Sequence, residues 1–190
     1  MRIVAGSLRG RALAAPPDER TRPTSDRVRE AMFNILTHGS VRVELSGARV
    51  LDVFAGTGAL GCEAMSRGAA FALFVEEDAG ARAVIRTNIE AFGLTGQTKI
   101  FRRDATSMGT AAQMGRFDLA LLDPPYGRSL GERALACLAA GDWLTDGAVV
   151  VLEERADVAV ALPAGFAQLD RRAWGDTQAV FAQWVGRSVL

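Results

Sequence analysis

Apolar positions change their spacing along this chain of 190 residues, and the changes divide it into elements. From residue 49 onward, short apolar runs alternate with longer segments of helical period. The runs at 49–54, 70–75, 98–102, 117–122 and 148–152 have the length of buried strands. Between them, 59–67 and 81–92 read as helices stopped by Gly68 and Gly93. A Ser129-x-x-Glu132 capping box opens a helix running to Ala139. The segment 105–113 is less regular and is predicted to be a further helix. Strands separated by helices imply right-handed βαβ units and a parallel sheet. After Pro163-Ala164-Gly165 the pattern turns β-like twice, at 166–174 and 177–185, with Gly175-Asp176 as the hairpin turn. The fold class is α/β: a mostly parallel, seven-stranded sheet ending in an antiparallel hairpin, with helices on both faces.

Upstream of the first strand, Thr24 or Ser25 caps a helix whose apolar stripe is Val28, Ala31, Met32, Ile35 and Leu36. Arg27, Arg29, Glu30 and Asn34 fall off that stripe, and Gly39 stops the helix. Residues 1–13 carry Gly6, Arg9, Gly10 and Arg11 between apolar positions, which suits a small β-hairpin with arginines on one side. Residues 15–23 form a Pro-rich polar loop. Two units follow: an Arg-rich extension over 1–23 and the main domain over 24–190.

Net charge is zero, which argues against binding nucleic acid by overall charge. The distribution is more informative. Up to Arg29 there are seven arginines against Asp18, Glu19 and Asp26, a local excess of four positive charges. Lys99 is the single lysine, so the basic groups are nearly all guanidinium forks suited to phosphates and base edges. A genome-wide bias toward Arg and Ala codons is the competing reading of this excess. His38 is the only histidine, so a multi-histidine metal site is impossible and a Ser-His-Asp triad would have to use it. Cys62 and Cys137 are isolated and read as small packing groups. With no signal peptide and no long apolar span, the chain reads as a soluble, reduced, cytoplasmic protein.

The chemistry gathers where strands end. Asp123-Pro124-Pro125-Tyr126 follows the 117–122 run. Two prolines cannot continue a central strand, because neither has a backbone N–H. The turn they force lies at the carboxyl edge, where open α/β sheets bind ligands. It offers a carboxylate, two carbonyls on rings of fixed φ, and an aromatic face, a set that can grip a planar group bearing NH₂. The other strand end is Asp52-Val53-Phe54-Ala55-Gly56-Thr57-Gly58-Ala59-Leu60-Gly61. Its Gly56-x-Gly58-x-x-Gly61 spacing matches the dinucleotide fingerprint, and Glu76 ends the next strand about twenty residues on. Taken alone this fits NAD. Asp52 tilts the choice: a carboxylate there repels a pyrophosphate but suits a cation. S-adenosylmethionine carries an ammonium and a sulfonium and has no phosphate.

The order Asp-x-Phe-Ala-Gly-x-Gly, an acid ending the next strand, and Asp-Pro-Pro-Tyr after the fourth resembles the Rossmann-like, class I S-adenosylmethionine-dependent amino-methyltransferases. Residues 3–11 (Ile-Val-Ala-Gly-Ser-Leu-Arg-Gly-Arg) and Arg22-Pro23-Thr24-Ser25-Asp26-Arg27-Val28-Arg29-Glu30 are similar to the RsmD family, which methylates N2 of a guanine in 16S ribosomal RNA. The resemblance implies that Asp52, Phe54, Gly56 and Gly58 hold the methionine end of the cofactor, and that Glu76 takes the ribose hydroxyls. It implies that Asp104 and Ala105 approach the adenine, and that Thr24 and Arg27 lie near the methionine carboxylate. Asp123, Pro124, Pro125 and Tyr126 would carry the chemistry, and Arg2, Arg9, Arg11 and Arg22 would touch RNA. The implied partner is the small ribosomal subunit, met by a monomer without metal or membrane. A DNA adenine-N6 methyltransferase can share the Asp-Pro-Pro-Tyr, but usually adds a target-recognition domain for which this chain has no room. An NAD-dependent oxidoreductase would account for the glycine spacing but gives Asp-Pro-Pro-Tyr no task. A non-catalytic RNA-binding protein would have no need of either motif.

Overall fold

The structure, a computed structural model, describes residues 1–15 and 25–186. Thr24, Arg22 and most of the Pro-rich loop lie outside the described residues. Helix α1, Asp26–His38, starts at Ser25, whose side chain accepts the Val28 N–H. Then follow β1 (Arg49–Val53), α2 (Ala59–Ser66), β2 (Phe71–Val75), α3 (Ala79–Phe92), β3 (Thr98–Phe101) and β4 (Phe117–Leu122). The chain closes with α4 (Leu130–Ala140), β5 (Leu144–Arg155), β6 (Phe166–Trp174) and β7 (Thr177–Trp184). The strands form one sheet in the order β3-β2-β1-β4-β5-β7-β6. Its first five strands pair in parallel, and β7 runs antiparallel between β5 and β6.

Alternation within the strands builds two cores. Val50, Ala72, Leu119, Leu121, Val149 and Val151 face one side, packed with Met32, Phe33 and Leu36 of α1, Leu60 and Cys62 of α2, and Ile85 and Ile89 of α3. Leu51, Val53, Leu73, Ala120, Leu122 and Val150 face the other, packed with Ala134, Leu135 and Leu138 of α4. Trp143 is fully buried on that second face, and Trp184 is nearly so.

Four details differ from the pattern-based expectations. Residues 105–113 form turns, not a helix. Gly109 sits at φ +73°, and its carbonyl accepts the Trp143 indole N–H at 2.8 Å, which removes it from any helical ladder. Ser129 precedes α4 but adopts a left-handed φ of 51° and makes no side-chain cap, so the capping box does not form. The predicted 148–152 strand extends to twelve residues: Leu144 pairs with Phe117 at its start, and Glu153, Glu154 and Arg155 continue in register against Ala179, Gln178 and Thr177 of β7 at its end. The N-terminal hairpin reduces to one bridge, Arg2 to Ala12, joined by a few main-chain bonds such as Ile3 N–H to Arg11 C=O at 3.0 Å.

That N-terminal segment packs on α2. The Val4 and Ala5 N–H groups donate to the Glu63 carboxylate at 2.8 and 3.0 Å, and the Ser7 N–H donates to the Ser66 carbonyl at 2.8 Å. Arg29, one of the seven N-terminal arginines, is fully buried; it pairs with Asp26 at 2.8 Å and faces Glu63 at 3.5 Å. Asn88 of α3 ties the same segment to the glycine loop. Its amide donates to the Thr57 carbonyl at 2.9 Å, and its oxygen accepts the Ala14 N–H at 2.7 Å.

Candidate active site

The carboxyl ends of β1, β2 and β4, three adjacent strands, present the acids singled out in the sequence. Asp52, the fourth residue of β1, is 1% exposed, and its Oδ2 accepts the Gly61 N–H of α2 at 2.8 Å. Burial pushes this carboxyl well above the usual range; the Gly61 bond opposes the shift, and the charges of Asp123 and Glu76 add to it. The charges of two neighbouring strand ends therefore reach Asp52.

Between Asp52 and α2 the backbone turns sharply. Phe54, Gly56 and Gly58 take φ values of 60°, 54° and 76°. For the bulky Phe54 this left-handed conformation costs energy, of a kind that accumulates at ligand sites. The third glycine of the fingerprint has a steric reason: a Cβ on Gly61 would penetrate the Phe74 ring of β2, so only glycine lets α2 lie this close to the sheet. Glu76, just past β2, has one oxygen accepting the Gly56 N–H at 2.9 Å and the other accepting the Asp78 N–H at 2.8 Å. The acid is thereby locked against the glycine loop, with lone pairs left for further donors.

Asp104 lies three residues past β3, the next strand out. Its Oδ1 accepts from both the N–H and hydroxyl of Thr106 at 2.8 Å, which holds the carboxyl below the usual range. Ala105 beside it is buried. At the tip of β4 the Asp123 N–H donates to the Val53 carbonyl at 3.4 Å, which anchors the loop to the end of β1. Pro124 is buried, Pro125 exposed and Tyr126 half-buried. The Tyr126 hydroxyl donates to Glu153 Oε1 at 2.6 Å; burial, and then the Glu153 charge, push its ionisation far above the usual phenol range.

Arg27 is exposed on the first turn of α1. Of the arginines named for RNA, Arg9 is exposed, and Arg2 turns its guanidinium onto the Gly10 carbonyl at 2.9 Å. Arg11 bonds the Ala91 carbonyl and lies 5.0 Å over the Phe92 ring, so it is engaged at the end of α3. Sequence reasoning missed Glu63, Asn88, Glu153 and Glu154. Each is a polar residue within or just beyond an apolar run, and the only signal was the pair of acids ending the 148–152 run.

Among the described residues no group of three or more His, Cys, Asp or Glu is arranged to hold a metal ion, and no helix is long and apolar enough to cross a membrane.

Five parallel strands closed by the antiparallel β7 and β6, with a left-handed glycine loop after β1, an acid after β2 and Asp-Pro-Pro-Tyr after β4, form a Rossmann-like class I methyltransferase fold, and comparison with known proteins agrees. The solved structure of the yhhF protein from Escherichia coli superposes with a TM-score of 0.83 at 31% identity, covering 98% of this chain and 99% of that one. A family model described as "Conserved hypothetical protein 95" matches residues 1–183. The ribosomal RNA small subunit methyltransferase D of Escherichia coli (strain K12) is 37% identical over 158 residues, 83% of this chain and 76% of that protein. Its namesake from Haemophilus influenzae is 32% identical over 177 residues, 92% of this chain and 89% of that protein. The chain belongs to this RsmD family.

Proposed function

We propose that this protein transfers a methyl group from S-adenosylmethionine to the exocyclic N2 of a guanine in 16S ribosomal RNA, acting as a cytoplasmic monomer on assembled 30S particles. Family membership carries the coarser statement, a methyltransferase of ribosomal RNA. The observation that supports the cofactor is the placement of Asp52, Glu76 and Asp123 at neighbouring strand ends, where the charges of Asp123 and Glu76 reach the buried Asp52; a cationic ligand relieves that cost and a pyrophosphate worsens it. NAD is disfavoured on the same ground.

The donor set fits the cofactor in its parts. The Asp52 side of the glycine loop would take the ammonium end, with Phe54, Gly56 and Gly58 shaping that wall. Glu76 would accept from the ribose hydroxyls, with Asp104 and Ala105 beside the adenine and Arg27 near the carboxylate. When bound, S-adenosylmethionine supplies an electrophilic methyl on a sulfonium, so no acid is needed for the leaving group.

The chain's own task is the nucleophile, because the guanine N2 lone pair is delocalised into the ring. Asp123 and the Pro124 carbonyl would accept the two N2 hydrogens and turn the lone pair toward the methyl carbon. Pro125 keeps the loop rigid, and the Tyr126 ring receives a base that has left its stack. Positioning and electrostatics supply the rate. Arg2, Arg9, Arg11 and Arg22 would contact the RNA, and Thr24 would join Arg27 near the methionine carboxylate.

The test is mass mapping of methylated guanosines in small-subunit RNA from a strain lacking the gene, followed by methylation of those subunits with purified protein. The expected outcome is one N2-methylguanosine lost and then restored. Restoration of an adenine mark in duplex DNA instead would overturn the proposal.

A further inference from the structure

Strand β5 outruns its neighbour. The parallel pairing of β4 with β5 ends at Leu122 opposite Leu152, where β4 gives way to Asp123 and the two prolines. Beyond that point β5 continues through Glu153, Glu154 and Arg155, held on its other edge by Ala179, Gln178 and Thr177 of β7. The overhang is a ledge beside the departing loop, and it carries two buried carboxylates, 2% and 3% exposed. Nothing in the reaction uses either acid directly.

Both grip the loop. Glu153 accepts the Tyr126 hydroxyl at 2.6 Å, the length of a charge-assisted O–H···O⁻ bond. Glu154 accepts the Gly127 N–H with both oxygens, each at 3.1 Å. A carboxylate is left buried only where its bonds repay the lost hydration. Two successive residues of the loop that presents the target base supply part of that repayment, and the Arg155 N–H, 2.7 Å from Glu154, adds to it. Tyr126 is thus fixed at both ends: its backbone follows Pro125, whose φ is locked, and its hydroxyl is moored to the ledge.

We propose that Glu153 is a positioning residue for methyl transfer, mooring the Tyr126 hydroxyl so that the ring is preformed as the platform for the target base. This rests on the methyltransferase function proposed above. Glu153 touches neither cofactor nor substrate; it sets the rotation of the ring that does. Its loss therefore acts on kcat and leaves cofactor affinity alone. Glu154 supports the backbone one residue further on.

Tyr126 is the only tyrosine in the chain, so its hydroxyl can be followed by itself. The test uses the full-length protein and three substitutions. Tyr126→Phe removes the donor; Glu153→Met removes the acceptor at nearly constant volume, so no cavity opens; Glu153→Gln keeps an acceptor oxygen. Tyr126→Phe and Glu153→Met should each lower kcat about tenfold, the scale of a small misplacement of reacting groups. The double variant should fall no further than either, and Glu153→Gln should recover most of the activity. Binding of S-adenosylhomocysteine, measured by calorimetry, should stay within about twofold throughout, as expected where only alignment is lost. In tyrosine-labelled protein, the single Cζ carbon-13 signal should move in Glu153→Met and return toward its wild-type position in Glu153→Gln. Multiplying losses in the double variant, wild-type kcat in Glu153→Met, or an unmoved tyrosine signal would each overturn the proposal. Failure of the wild-type protein to methylate small-subunit RNA would instead overturn the function above, while the tyrosine signal would still report on the mooring.

Discussion

Cys62 lies one residue beyond Gly61, close enough to the glycine loop to suggest a nucleophile. Its environment forbids that role. The thiol is fully buried, and burial pushes its pKa up to about 12, with the Asp52 charge adding and Arg29 opposing. At neutral pH almost no thiolate exists there. Cys62→Ala is therefore expected to keep at least about half of wild-type methyl transfer, because the thiol supplies packing and no chemistry. Iodoacetamide should leave Cys62 unmodified in the folded protein at about pH 8, near the ordinary thiol pKa, and peptide mass mapping checks this. At the same scale, the Gly61 spacing was legible from sequence because the motif has a steric cause, the closeness of α2 to Phe74. The Glu153 mooring was not legible, because nothing in a row of residues says that β5 outlasts β4.

Among the elements, α2 does more than present the glycine loop. Glu63 on its inner face is wholly buried and collects the Val4 and Ala5 N–H groups, the Arg67 guanidinium at 2.9 Å and the Arg29 guanidinium at 3.5 Å. Removing one partner from such a network strands the opposite charge in the interior. Glu63→Ala should cost about 3–5 kcal/mol, read as a lowered urea midpoint with an unchanged slope. A change below about 1 kcal/mol would show that the guanidiniums find other partners. Sequence reasoning passed over Glu63, since two of its partners, Val4 and Ala5, come from about sixty positions away. The strands and the regular helices were legible because their periodicity is local. The 105–113 turns and the failed capping box were not, because Trp143 claims one carbonyl and a left-handed Ser129 removes the other cap.

For the whole molecule, the carboxylates of the site make stability depend on pH. Asp52 is raised in the folded state, so folding favours its protonated form. Its contribution is fully present below the ordinary carboxylate range, about pH 4, and is lost as pH rises through the higher folded value. Asp26, Asp104 and Asp170 are lowered and act with the opposite sign, fading as the solution becomes acid. Asp52→Asn removes the first effect alone. Relative to that variant, the wild type should lose urea resistance as pH rises above about 4, and a cationic cofactor analogue should reduce the loss. A constant difference across that range would show that Asp52 does not titrate there. Architecture at this scale was legible from the alternation of elements, and the family from the Arg-Pro-Thr-Ser-Asp-Arg-Val-Arg-Glu segment. The gathering of Asp52, Glu76 and Asp123 at strand ends was expected from the motifs, but the bonds that tie Asp52 to Gly61 and Glu76 to Gly56 emerge only when the sheet is assembled.

The central claim is that Asp123 presents the target amine to a cofactor held by the ends of β1 and β2. The most direct measurement compares S-adenosylhomocysteine binding and methyl transfer to small ribosomal subunits in one preparation of Asp123→Ala. The prediction is a Kd within about threefold of wild type and a kcat lowered by at least about 100-fold, the scale of a lost transition-state contact. Wild-type turnover in that variant, or loss of cofactor binding in step with activity, would contradict it.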